Sequence, residues 1–463
     1  MHRITILLIG LMLLTAGAAA QETKPKEKEK ATAEKPQKVT VKPYGFIRNY
    51  LVFDSRRTVT VCGGEYHLIP YDEDWNITEA ELAAIQASGA TISDEYEVRY
   101  DRNAVPQTHF QALTSRFGLE LNGPQLLGAT SSGRLEADFA GFGTTNSVLR
   151  LRLAYLKLDF QKEAYKHTVL FGQDWHPLCG NIMPEALGMA AGSPFRPHSR
   201  TPQLRYELSH GLLRLTAAAL YQFQYTSPGP NGESTEYANQ GLVPELFVGV
   251  GLRNEHIYAQ LGADYSSLLL RDYMLLTTST GGAVADIMVK ERCNSFSPTL
   301  YFQYTERLFS LKMRSTLARN LGHLNMLSGY ARAADINDPT TFTYKPMSAS
   351  VSYLDLAYGK RWRANLLLGY HKNLGLPKDY VISGGLVVAP VPLYMKKGIT
   401  NINSIYRVAP SISFNTQAFN IGLEYEWTAV TYGDLQPDGT VANNDNLRQV
   451  SNHRVCALIK YNF

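Results

Sequence analysis

The last residues of the chain alternate in character. Ala457, Ile459, Tyr461 and Phe463 fall on one side, and Cys456, Leu458, Lys460 and Asn462 on the other. Period two belongs to a strand, so the chain closes on a strand with one greasy face, one mostly polar face and a terminal aromatic. The N-terminus narrows the setting. His2 and Arg3 precede an apolar run, Ile4 to Leu14, that is too short to span a bilayer. Ala18-Ala19-Ala20 supplies small residues for a signal peptidase, so residues 1–20 read as a secretory signal cut before Gln21. An exported chain that ends on such a strand is expected to be all-β, a transmembrane antiparallel β-barrel in the outer membrane of a Gram-negative cell.

Residues 21–40 are Lys, Glu, Pro, Thr and Ala with almost nothing apolar. Such a run cannot bury enough surface to offset its own entropy, so it reads as a disordered periplasmic tether. Residues 41–463 are then one barrel domain. No later apolar run is long enough for a transmembrane helix, which leaves a barrel or a soluble fold. The 28 Tyr outnumber the 18 Phe, as in the aromatic girdles of barrels. A net charge of +4 gives no reason to invoke nucleic acid. Cys62, Cys179, Cys293 and Cys456 contain no CxxC pair and lack zinc-site spacing. A Cys62–Cys179 disulfide and four free thiols both stay open, and no cofactor is implied.

Sixteen segments have strand character: 44–54, 109–122, 133–143, 147–160, 165–174, 201–209, 211–225, 240–253, 255–268, 295–305, 308–320, 346–359, 361–372, 402–416, 418–431 and 449–463. Each is long enough to cross a bilayer when tilted, for which roughly 9–11 residues suffice. The segment 147–160 changes face near Ala154-Tyr155, which predicts a bulge there. The connections alternate between short turns and long loops, with a longer turn expected at Gly123–Ser132 and a short loop at 144–146. Short periplasmic turns and long extracellular loops are the habit of an outer-membrane barrel, and an even strand count returns both termini to the periplasm.

The polar face of each strand then lines the lumen. Basic candidates there are Arg116, Arg134, Arg150, Arg152, Arg205, Arg214, Lys312, Arg314, Arg361, Arg363, Arg407 and Lys460; acidic ones are Glu120, Glu136, Asp138, Glu207, Asp264, Glu424 and Glu426. The segment 175–200 mixes apolar helix formers (Met183 to Ala191) with Gly and Pro, and it must pack its apolar side on something. The lumen wall is the available surface, so this is the expected constriction loop. Arg196, His198 and Arg200 would sit beside Arg150 and Arg152. Guanidinium groups at a narrow point attract carboxylates and phosphates because Arg offers two parallel donors. The competing expectation is that these Arg residues pair with lumen carboxylates and merely hold loops. In the long insertion 55–108, Thr78-Glu79-Ala80-Glu81 predicts a capped helix ending at Gly89.

Four stretches carry a family likeness: SRFGLELNGP (Ser115–Pro124), GRLEADFAGF (Gly133–Phe142), LRLRLAYLKLDF (Leu149–Phe160) and LFGQDWHP (Leu170–Pro177). They resemble the second to fifth strands of DcaP-like porins. The resemblance implies sixteen strands, a homotrimer and a preference for small anionic solutes. It carries over onto Arg116, Glu120, Arg150, Arg152 and the segment Gln173–Trp175. The chain departs from that pattern in a short tether without coiled-coil heptads and in a longer first loop. Tyr44-Gly45-Phe46-Ile47-Arg48 resembles the opening of porins from Bacteroides-type bacteria.

Asp174, His176, His198 and Ser199 lie close in sequence, but there is no GxSxG, and a loose Ser/His/Asp set is weak grounds for catalysis. Asp174, His176 and Cys179 as metal ligands are a weaker reading than loop packing. The expected function is a passive porin for small hydrophilic solutes, not an enzyme, in contact with outer-membrane lipid and lipopolysaccharide. The alternative is a structural or adhesive barrel with an occluded lumen.

Overall fold

A computed structural model describes residues 39–463, apart from 62–65, 91–95, 142–147, 180–182, 272, 278–282, 289, 338–341, 383–392, 395–398 and 442–445. The segment expected to be a signal, nearly all of the expected tether and Cys62 therefore lie outside the described residues, as does the short loop expected at 144–146.

Sixteen antiparallel strands close on themselves. They are β1 (Thr40–Asp54), β2 (in two pieces, Gln107–Gln111 and Arg116–Leu126), β3 (Ala129–Gly141), β4 (Val148–Lys162), β5 (Tyr165–Trp175), β6 (Arg200–His210), β7 (Leu213–Leu220) and β8 (Glu245–Arg253). There follow β9 (Ile257–Leu269), β10 (Arg292–Glu306), β11 (Phe309–Arg319), β12 (Ser348–Gly359), β13 (Trp362–Gly375), β14 (Ile402–Asn415), β15 (Phe419–Tyr432) and β16 (Arg448–Asn462). Each strand pairs with its neighbour in sequence, and β1 pairs with β16 from Phe46↔Asn462 to Asp54↔Arg454. Closure leaves no unpaired edge, which a bilayer requires. At the seam Gly45 and Phe463 exchange both backbone hydrogen bonds, at 3.0 and 3.1 Å. A Cβ on Gly45 would lie 2.6 Å from the Phe463 ring, so the terminal aromatic needs the glycine.

The alternation read from the sequence is the in–out alternation of the wall. On β9 Gln260, Gly262 and Asp264 face in, while Leu261 is 63% exposed. Outward Leu51, Phe117, Leu135, Val248, Leu300 and Ile459 continue this apolar belt around the barrel. Exposed apolar surface on that scale belongs in lipid rather than water. No helix among the described residues is long and apolar enough to cross a membrane.

Turns and loops sort by parity. The β2–β3 connection is a two-residue turn, Leu127-Gly128, with φ of 54° and 79°, not the longer turn expected there. Pairing continues past Asn122 through an irregularity at Gly123-Pro124, where a residue without an N–H is tolerated. Three further expectations shift. Strand β7 ends at Leu220, and β8 starts only at Glu245, because Glu236–Gly241 is a short helix ended by Leu242 at φ 57°. The bulge in β4 sits at Arg152, between the pairs Ala137↔Leu151 and Glu136↔Leu153, two residues earlier than expected. Arg361 lies in the exposed β12–β13 turn with its guanidinium 4.9 Å from the Phe414 ring, not in the lumen.

The long loops do not all stay outside. In 55–106 a hairpin, Thr58–Val61 with Tyr66–Pro70, is almost wholly buried. Its exposed helix Glu79–Ala87 begins with the expected capping box of Thr78 and Glu81. Leu68, Phe195, Leu324 and Leu327, from three different loops, join one buried cluster with Val351, Ile405 and Val430 of the wall.

Candidate functional site

The site is built around the β4 bulge. Before it, Arg150 faces in while Leu149 and Leu151 face out; Arg152 at the bulge and Leu153 after it are both buried. A bulge puts one extra residue on one strand, and here it aims Arg152 and Leu153 inward together. Arg150 Nε and Nη2 donate to the two oxygens of Asp138 at 2.9 and 2.8 Å. Arg152 Nε donates to Glu136 at 2.7 Å, and its Nη1 to Asp138 at 2.7 Å. Arg116 Nη1 lies 3.4 Å from Glu136 and its guanidinium 4.8 Å from the Phe46 ring. Three cations thus share two carboxylates on β3.

Segment 176–199 meets the inner wall at many points. The N–H groups of Leu187 and Gly188 donate to Glu424 at 2.6 and 3.0 Å. Glu185 N–H donates to Asp355 at 3.1 Å, and the Glu185 carboxylate receives Arg363 and Lys312. Arg314 donates to Leu178 O, and Phe195 packs where a Cβ on Gly369 would stand. Arg407 ties two inserts at once, with Nη1 on Ser193 O at 2.7 Å and Nη2 on Leu68 O at 2.6 Å. His198 N–H donates to Leu324 O at 2.7 Å, which brings in the β11–β12 loop.

The end of this segment adds more cations. Arg200 is fully buried; its Nη2 donates to Tyr225 Oη at 2.6 Å and its guanidinium lies 5.0 Å from the Trp175 ring. Arg196 Nη1 donates to Pro197 O, and its Nη2 lies 2.9 Å from His198 Nδ1. Burial and the surrounding charges of Arg196, Arg200, Arg152 and Arg150 hold the His198 pKa well below its ordinary value, so the ring is neutral.

The expected site residues fall into two groups. Arg134 pairs with Glu120, half-exposed and with Arg134 over the Tyr44 ring. Arg205 pairs with Asp174 at 2.8 Å and Glu207 at 2.9 Å, and Arg363 with Glu185. These, with Arg116, Arg150 and Arg152, are compensated. Among the described residues Arg196, Arg200 and Arg314 form no ion pair, and Arg200 Nε, Arg200 Nη1 and Arg314 Nε have no hydrogen-bond partner. The loose Ser/His/Asp set does not assemble: Asp174 is taken by Arg205, His176 turns to Glu245, and His198 faces Arg196. Cys179 is a free buried thiol, pushed up to about 11 by burial, and its Sγ accepts Ser199 N–H.

Sequence reading missed the hairpin 58–70. His67 bonds Glu426 at 2.7 Å and also meets Arg454, which clasps Asp54 with two bonds of 2.7 Å. The all-buried strand YHLIP was the available signal, since a surface loop has little use for it.

Closed strand order, outward apolar belt, loop parity and inward polar face together define a sixteen-stranded porin-type barrel of the Gram-negative outer membrane. The comparisons place it among solved barrels. The structure is similar to the outer membrane channel DcaP of Acinetobacter baumannii, with 15% identity, 92% of this chain and 97% of that chain covered, and a TM-score of 0.60. More distant are an anion-selective porin from Comamonas acidovorans (9% identity, 92% and 100% covered, TM-score 0.48) and the trimer form of OmpT from Vibrio cholerae (10%, 92% and 100%, 0.47). No protein-family model and no curated protein matches the sequence.

Proposed function

We propose that the chain is a passive diffusion channel for small hydrophilic solutes that prefers anions, carboxylates and phosphates above all. The observation that carries this reading is the set Arg196, Arg200 and Arg314, buried beside the inserted segment and without carboxylate partners among the described residues. A buried cation without a counter-charge costs several kcal/mol, and an anion passing within reach offsets that cost. The Arg150, Arg152 and Arg116 pairs hold the inserted segment's surroundings in place and leave a positive excess. In this reading residues 1–20 direct export, 21–40 form the tether, the apolar belt meets lipid and lipopolysaccharide, and three chains assemble. The barrel does no catalysis and needs no cofactor to conduct.

The buried apolar cluster that joins Leu68, Phe195 and Leu324 favours a second reading, a structural or adhesive barrel whose lumen is occluded. Liposome swelling separates the two. A channel admits small sugars and amino acids at rates that fall with size; an occluded barrel gives no swelling above empty liposomes.

A further inference from the structure

We propose that His176, Glu245, Asp264 and His323 form a binding site for one divalent transition-metal cation of the zinc class, which staples two inserted loops to the barrel wall. The four come from four places. His176 is the first residue after β5, Glu245 opens β8, Asp264 faces in from β9, and His323 sits in the short 3-10 turn Gly322–Leu324 of the β11–β12 loop.

Three of the side chains, those of His176, Glu245 and Asp264, converge at a buried point, and His323 joins them through Glu245. Glu245 Oε1 lies 3.0 Å from His176 Nε2 and 2.9 Å from His323 Nε2, and Asp264 Oδ1 lies 3.7 Å from His176 Nε2. The ligand atoms of His176, Glu245 and Asp264 all fall within 4.8 Å of one another. None of the four side chains is more than 4% exposed. Phe247, which pairs with Asp264 across the two strands, packs over Gly249 and Gly262.

Two observations mark this cluster. Asp54, Glu136 and Asp138 each meet an arginine, and Asp355 and Glu424 accept backbone N–H groups of the inserted segment, whereas Glu245 and Asp264 have neither an arginine nor a lysine as ion-pair partner among the described residues. Glu245 Oε2 and Asp264 Oδ1 are also buried with no donor group as partner, and the two carboxylates lie against each other. Buried acceptors that no protein group satisfies call for a ligand or a proton.

A dication with two carboxylates and two neutral imidazoles is electrically neutral, which suits a site cut off from water. Two nitrogen and two oxygen donors from four protein groups fit four-coordinate zinc better than calcium or magnesium, which prefer oxygen alone. With all positions filled by protein, the role is structural. Leu178 N–H now donates to His176 Nδ1 at 3.1 Å, so the ring proton sits on Nε2. Loading takes the Nε2 lone pair, moves that proton to Nδ1 and turns the Leu178 amide away. The metal then fixes the start of segment 176–199 and the His323 turn to β8 and β9.

The test uses the full chain refolded from urea into detergent, with Zn²⁺ or with chelator, and then freed of loose metal by gel filtration. Heat-modifiable migration on a gel certifies a folded barrel. The expected result is one retained Zn²⁺ per chain, a raised unfolding midpoint, and a tetrahedral visible spectrum when Co²⁺ replaces Zn²⁺. Glu245→Gln and His323→Ala should each weaken retention at least about a hundredfold in barrels that still migrate as folded. X-ray absorption on the wild-type zinc form, with two imidazoles in the shell, gives a reading that needs no variant. A folded wild-type barrel that retains no more Zn²⁺ than the chelator-treated sample overturns the assignment, as does retention equal to that of the variants. A barrel that conducts anions but holds no zinc sinks this assignment alone.

Discussion

Arg152 and Arg200 lie against one indole: their guanidinium carbons are 5.9 and 5.0 Å from the centroid of Trp175. They reach it from β4 and β6, on either side of the strand that carries the ring. The pair differs in what else it touches. Arg152 holds two carboxylates, whereas among the described residues the Arg200 guanidinium hydrogen-bonds only Tyr225 Oη.

That difference predicts a split between selectivity and stability. Arg200→Ala removes a positive charge and strands no acid, so anion preference should drop while stability falls by about 1–2 kcal/mol. Arg152→Ala also lowers anion preference but leaves Glu136 and Asp138 under-compensated, and should cost about 3–5 kcal/mol. Bilayer selectivity and urea unfolding in detergent measure the two effects. Equal stability losses would refute the assignment of partners.

Arg454→Ala should cost about 3–5 kcal/mol, because Asp54 is fully buried, loses both 2.7 Å bonds from Arg454 and keeps the one from the Asn452 amide. The hairpin 58–70 should loosen with it, through lost contact to His67. Faster proteolysis of the 55–106 loop is the expected sign; unchanged cleavage and stability would contradict it.

Glu185→Gln should free segment 176–199 from Arg363 and Lys312 at a cost of about 1 kcal/mol, small because the carboxylate is 26% exposed. Open-channel noise should rise and limited proteolysis within 176–199 should speed up. An unaltered trace would show that the backbone bonds to Glu424 hold the segment without it.

Acid should weaken the folded barrel from about pH 6.5 downward. Burial and its guanidinium neighbours keep His198 neutral, and burial does the same for His67 and His176. The folded pKa is lowered, so below the unfolded value of about 6.5 the unfolded chain binds protons that the native state refuses. Stability is flat above that pH and falls below it, and His198→Gln should flatten the slope. Stability that rises on acidification through that range would contradict the burial of these rings.

Much of this barrel is legible in the sequence, and the reason is local. Each wall strand repeats every two residues, so Leu261 outside and Gln260 inside are visible from their neighbours alone. All sixteen strand segments recur, mostly within a few residues at each end. The inward aim of Arg150, Arg152 and Arg205 was legible for the same reason. What was not legible depends on pairs far apart in the chain. Arg407 bonding Leu68 O spans 339 residues, and His323 meeting Glu245 spans 78. No periodicity encodes such contacts. The β4 bulge was visible as a change of face, but its position is set by pairing with β3, which a single strand does not reveal.

The central claim is that buried arginines without carboxylates give the channel its preference. The most direct measurement is the reversal potential of single wild-type channels across a KCl gradient. The account predicts a potential shifted toward that of chloride, and a smaller shift for Arg200→Ala. A potential on the potassium side, or a bilayer that never conducts, would contradict it.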